Sequence, residues 1–307
     1  VGYQAADSVT TGTKNTAIGR VAAGALTTTS ENTAVGYYAL AGNTDSRNTA
    51  VGVEAGNSTG GASDGTYLGY KVFVENEGEQ NTGVGANAGL YMDTGEYNTA
   101  VGYEALRCAS GSATHPDNNV AIGHSAMKMA TEANECVAVG GGAALDITTA
   151  SEIVAVGRYA LQNILSGGRN TAVGYNCLSA CSTGQHNTAL GYEAGGANQS
   201  GDYNCFIGYN AGTGQVTTED NRLYISRNND SDGNAGCWVF GDNAGSCTQG
   251  DNSSSWTTTS DVRLKKNIVN NTKGLSEIDQ IRIRNFEYKK ESEIDMSQFP
   301  NADGPHQ

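Results

Sequence analysis

The chain has 307 residues, including 42 Gly but only 5 Phe and 2 Trp, so it lacks the bulk for a conventional packed core and must bury surface by stacking small residues. Its formal charge of −14 resides in residues 1–256, which hold 10 Lys/Arg against 24 Asp/Glu, whereas residues 257–307 hold 8 of each. An acidic chain repels phosphate backbones, which argues against nucleic acid as a partner, and no run approaches the roughly 20 apolar residues of a membrane span, which argues against membrane insertion.

The chain opens at Val1-Gly2, inside a repeat, without Met and without a secretory signal, and is therefore expected to be a piece of something longer. From there one phrase recurs: an aliphatic residue followed by glycine, usually preceded by Asn-Thr-Ala. The glycines are Gly2, Gly19, Gly36, Gly52, Gly69, Gly85, Gly102, Gly123, Gly140, Gly157, Gly174, Gly191 and Gly208. Their spacing is 17 residues except for two steps of 16 and one of 21. A fixed period of this length predicts an elongated array and not a compact enzyme.

With the glycine as position 0, position −1 is Val, Ile or Leu in all thirteen copies, and position +3 is Ala in eleven, with Val72 and Cys177 as exceptions. Asn recurs at −4 (Asn15, Asn32, Asn48, Asn81, Asn98, Asn119, Asn170, Asn187, Asn204), and Tyr recurs at +1. The motif reads as strand and the variable Gly/Ser/Thr/Asn runs between motifs as turns. Strand alternation puts −1 and +1 on one face, −2 and 0 on the other. The expectation is that the aliphatic residue fills each coil. The Ala/Gly face would then admit close approach of packed sheets or chains, although a required backbone torsion also accounts for glycine. Stacked in register, the Asn column could form a side-chain ladder; the alternative is that Asn and Thr simply begin each strand. The array has one proline, Pro116, inside the 21-residue step. The fold class predicted is all-β: a short-coil parallel β-solenoid of about thirteen 17-residue repeats, as a narrow roll with two strands per coil. So thin a roll would gain stability by packing against identical copies.

Asn170-Thr-Ala-Val-Gly-Tyr175 and its copies at 98–103 and 187–192 resemble the repeats of trimeric autotransporter adhesin heads and related phage fibres. The resemblance covers residues 1–212 and implies a left-handed parallel β-roll associated as a homotrimer.

After Gly208 the period weakens. Arg222–Ser226 and Trp238–Gly241 read as further strands, and the separator 228–233 reads as a polar hairpin turn because Val239 stands where a calcium loop needs its twelfth, acidic ligand. Residues 213–256 form a transitional β region and linker. The segment 257–307 carries helical spacing at 275–281 and strand alternation at 281–288, a small α+β unit. Its Ser260-Asp-Val-Arg-Leu-Lys-Lys-Asn-Ile268 run, with Phe286-Glu-Tyr-Lys289, resembles the entry to the intramolecular chaperone of endosialidase-type tailspikes. The resemblance implies assistance to trimer assembly followed by self-cleavage at Ser260-Asp261, with Ser260 as nucleophile and Lys265 as base, Lys266 being a weaker substitute. A desolvated neutral lysine can take a serine hydroxyl proton, so the pairing is chemically sensible.

Seven cysteines, at 108, 136, 177, 181, 205, 237 and 247, form no CxxC pair, and four histidines (His115, His124, His186, His306) form no ligand spacing. The cysteines read as small buried or surface thiols, and no cofactor or metal site is expected. The functional expectation is a structural fibre of a virion, a phage tail or side fibre that attaches to a host-surface glycan or protein and joins other tail components. The alternatives are a bacterial surface adhesin and a glycan-degrading tailspike, the latter weakened because no pair of carboxylates stands out.

Overall fold

The computed structural model describes residues 1–57, 60–110, 115–214, 217–226 and 237–249, all within a compact unit spanning Val1–Trp256. Its first strands are β1 (Thr16–Ile18), β2 (Thr33–Val35), β3 (Thr49–Val51), β4 (Thr66–Leu68), β5 (Thr82–Val84) and β6 (Thr99–Val101). They continue as β7 (Val120–Ile122), β8 (Val137–Val139), β9 (Val154–Val156), β10 (Thr171–Val173), β11 (Thr188–Leu190) and β12 (Cys205–Ile207). These twelve strands, each at positions −3 to −1, stack in chain order and parallel, with like residues paired, as in Thr171↔Thr188, Ala172↔Ala189 and Val173↔Leu190. The array is thus a parallel β-solenoid with about 17 residues per turn, and the described residues contain no helix. The sheet ends in β13 (Leu223–Ser226), still parallel, followed by β14 (Cys237–Gly241) and β15 (Cys247–Gln249), both antiparallel.

Each coil carries one strand, not two. On the opposite side, residues +2 and +4 take left-handed torsions, for example Asn176 at φ 51° and Leu178 at φ 49°. A strand alternates its side chains, but here +3 and +4 both point inward: Cys177 and Leu178 are fully buried neighbours. The left-handed residues make that possible, and each carries an inter-coil bond. The Asn176 N–H donates back to the Arg158 carbonyl (3.0 Å) and the Leu178 N–H forward to the Ala194 carbonyl (2.9 Å). Left-handed torsions cost roughly 1–2 kcal/mol per non-glycine residue, and the inter-coil ladder is what holds them.

The face assignment is the reverse of the sequence expectation. Alanine at −2 points inward and is fully buried at Ala34, Ala50, Ala100, Ala121, Ala138, Ala155 and Ala172. The aliphatic residue at −1 points outward, with Leu190 at 51 % and Ile18 and Leu68 at 48 % relative exposure. In the regular coils the +3 and +4 side chains fill the interior and leave room only for Ala at −2. Glycine's role is also corrected: a Cβ on Gly174 would run into the carbonyl of Gly191 in the next coil of the same chain, and the residue has φ +142°. Close approach and an unusual torsion therefore act together, between successive coils and not between sheets.

Candidate assembly interface

The outward surface of the sheet is built by two columns. Position −3 is Thr in β1 to β6, β10 and β11, Val in β7, β8 and β9, and Cys205 in β12; position −1 is always aliphatic. No charged residue interrupts either column, so the most regular surface of an acidic chain is uncharged and largely apolar. Contiguous exposed apolar surface of this kind marks an interaction site.

Buried amides tie the coils together beneath this surface. The Asn170 Oδ1 accepts from the Asn187 N–H (2.9 Å) while its Nδ2 donates to the Gly184 carbonyl (2.7 Å). Asn187 repeats both contacts one coil on, to the Asn204 N–H (2.9 Å) and the Gly201 carbonyl (2.8 Å), and its Nδ2 also donates to Asn170 Oδ1 (3.1 Å). The ladder reading of the Asn column holds, and it includes backbone as well as side-chain partners. At −4, Gly65, Cys136 and Ile153 interrupt it; the Cys136 N–H still donates to Asn119 Oδ1 at 3.0 Å.

A second ladder lies in the segment that sequence alone labels variable turn. At −6, the Asp117 Oδ1 accepts from the Glu96 N–H (2.8 Å), Asn134 Oδ1 from the Asp117 N–H (2.7 Å), and Ser151 Oγ from the Asn134 N–H (3.1 Å). The signal was present as a short acceptor residue six before the glycine, at Ser30, Ser46, Asp117, Asn134, Ser151 and Asp202. Part of the acidity therefore serves as hydrogen-bond acceptors between coils.

Beyond the glycine corner, position +1 forms an exposed aromatic and cationic column. Tyr175, Tyr192 and Tyr209 stack at centroid separations of 5.1 and 5.2 Å, Tyr103 stacks on His124 at 5.5 Å, and Arg20 lies over Tyr3 and Tyr37. Glu104 takes two cations, Lys128 at 2.6 Å and Arg107 at 3.4 Å. Burial opposes ionisation of this carboxyl, but the hydrogen bonds and charges of Lys128 and Arg107 prevail and hold it below the ordinary glutamate value.

None of the seven cysteines is in a disulfide. Burial pushes the Cys177 and Cys181 thiols up to about 12 and Cys136 up to about 11, so they are protonated at neutral pH and serve as small core residues. The candidate cleavage residues Ser260, Asp261, Lys265 and Lys266, and the separator 228–233, lie outside the described residues. Strands are present where the sequence placed them, at Leu223–Ser226 and Cys237–Gly241, and pair antiparallel, whereas the sequence reading did not include β15.

Comparison with known families finds one match, to the chaperone of endosialidase, over residues 260–304. No curated protein and no solved structure matches the chain.

Proposed function

We propose that this chain is the β-solenoid part of a trimeric, phage-type virion fibre that attaches to a host surface and matures with the help of a self-cleaving C-terminal chaperone. The observation that carries the reading is the chaperone match, which begins at Ser260, the residue assigned as nucleophile. It is supported by the uncharged outward columns at −3 and −1, a surface suited to burial between copies of the chain. Three chains meeting through those columns would cover Val173, Leu190 and their equivalents. In-register repeats offer many nearly equivalent alignments between chains, and a chaperone at one end selects the alignment in which all three start together.

In the processing step, neutral Lys265 takes the Ser260 hydroxyl proton, and the serine oxygen adds to the Ser260-Asp261 carbonyl of a neighbouring chain of the trimer. The proton passes to the departing Asp261 amine, and water then hydrolyses the resulting ester. Native and denatured mass measurements test both parts. A trimer whose subunits end at the Ser260-Asp261 boundary is the expected result, and Ser260→Ala is expected to leave the subunits uncut. A double substitution Val173→Lys and Leu190→Lys is expected to give folded monomers; intact trimers from that variant would exclude this face as the seam.

A further inference from the structure

The +1 column has one position with no side chain. Where seven other coils place Tyr, the coil of Gly140 has Gly141, and a side chain there would meet nothing within 4 Å. The gap opens into a cavity of about 470 Å³, inside the roughly 300–1,000 Å³ range of small-ligand sites. His124 stands on one side of it and Arg158 on the other, with Leu145 and the Tyr159 ring as apolar lining and Lys128 at its edge. Tyr159 leans into the room that a side chain at Gly142 would need, where a Cβ would come within 2.7 Å of its ring. The Arg158 guanidinium sits 4.4 Å from the centre of the same ring.

The charge of this gap runs against that of the chain. Among the described residues the Arg158 side chain makes no ion pair, and its one hydrogen bond is to the Tyr159 hydroxyl at 2.9 Å. Lys128 shares Glu104 with Arg107, so that group of three retains one positive charge. A cationic opening on a chain of net charge −14 is locally distinct. A guanidinium held over an aromatic ring, with one N–H on the ring's hydroxyl, keeps further N–H groups for a grip on a carboxylate. The adjacent ring face and Leu145 suit the C–H face of a ring.

We propose that this gap is a binding site for a carboxylated sugar, one or two rings long, with Arg158 holding the carboxylate and Tyr159 supporting the ring. This deepens the attachment reading given above and rests on it for its biological role.

The test uses the assembled protein and a disaccharide of glucuronate and N-acetylglucosamine, with its neutral counterpart and inorganic phosphate as competing probes. Saturable binding of the acidic disaccharide is expected, falling at least tenfold in Arg158→Gln and in Gly141→Tyr. The second change restores the commonest residue of the column, so it fills the gap without introducing a foreign residue, and Arg158→Gln alters an exposed side chain if the first disturbs folding. Absence of binding, equal binding of the neutral sugar or of phosphate, or binding unchanged by both variants would each overturn the site. Retention on host cells is measured separately. Retention unaffected by Gly141→Tyr removes the site and leaves attachment standing, whereas disaccharide binding without retention removes attachment and leaves the site.

Discussion

The coils around Gly69 and Gly85 solve the same packing problem as those around Gly174 and Gly191 with different residues. In the regular coil Ala172 at −2 faces Cys177 and Leu178, all fully buried. In the irregular one Tyr67 occupies −2 and Phe73 occupies +4, with ring centroids 5.5 Å apart, and both are buried. The room comes from glycines at other inward positions. A Cβ at Gly83 would come within 2.6 Å of the Phe73 ring, and side chains at Gly56, Gly65 and Gly89 would collide with one or other ring. Phe206 repeats the exchange with Gly195 and Gly212 on either side. What each coil conserves is inward volume and not a particular residue, as expected of an interior packed to crystal density.

That comparison is broken most directly by removing the large residue. Tyr67→Ala leaves a void flanked by glycines that have no side chains to fill it, so it should cost about 3–5 kcal/mol, read from the shift in a chemical denaturation midpoint. A loss near 1 kcal/mol would mean the irregular coils collapse freely and that volume is not what they conserve.

In the regular coils the corresponding dependence falls on the amide. Asn170→Ala deprives the Asn187 N–H and the Gly184 carbonyl of buried partners at 2.9 and 2.7 Å, and should cost about 3 kcal/mol. If the ladder were only a way of starting strands, the cost would stay near the ~1 kcal/mol of a lost turn or cap residue.

Placing Asn into the irregular coil should do harm despite matching the repeat. Gly65→Asn drives a side chain into the Tyr67 hydroxyl and should cost about 2 kcal/mol by overpacking. Combined with Tyr67→Ala, the same change should cost less than the sum of the two, by about 1 kcal/mol or more. Strict additivity in the double variant would show that the two positions do not share space.

These contrasts also mark what could be read from the sequence. The period, the in-register stacking and the Asn ladder were legible because Asn, Ala and Gly recur at fixed distances and each does the same work in every coil. The orientation of the strand was not, because the rule that large apolar residues point inward fails where the coil has room only for Ala172 or Ala138 beneath it. The left-handed half of the coil was hidden for another reason. Its +2 and +4 positions carry Glu54, Tyr159, Asn176, Leu178 and Met127 alike, all with positive φ, so no residue type announces the torsion. Of the candidate sites, the Ser260 region was legible by its motif, whereas the gap at Gly141 appears only once the stacked column makes a missing side chain visible.

The smallest expected effect tests the same packing exchange at one atom. Tyr67 is 1 % exposed, its hydroxyl has no hydrogen-bond partner among the described residues, and burial pushes its phenol well above the ordinary tyrosine value. The ring is therefore present for its volume while its hydroxyl carries a desolvation cost. Tyr67→Phe keeps the ring, its contact with Phe73 and its fit among the glycines, and removes only the unpartnered oxygen. An unsatisfied buried polar group costs roughly 1–3 kcal/mol, and the small void left by the oxygen takes back part of that, so the variant should be more stable by about 1 kcal/mol. A loss of stability would mean that the hydroxyl has a partner in solution, and that the irregular coil is held by a polar contact in addition to its volume.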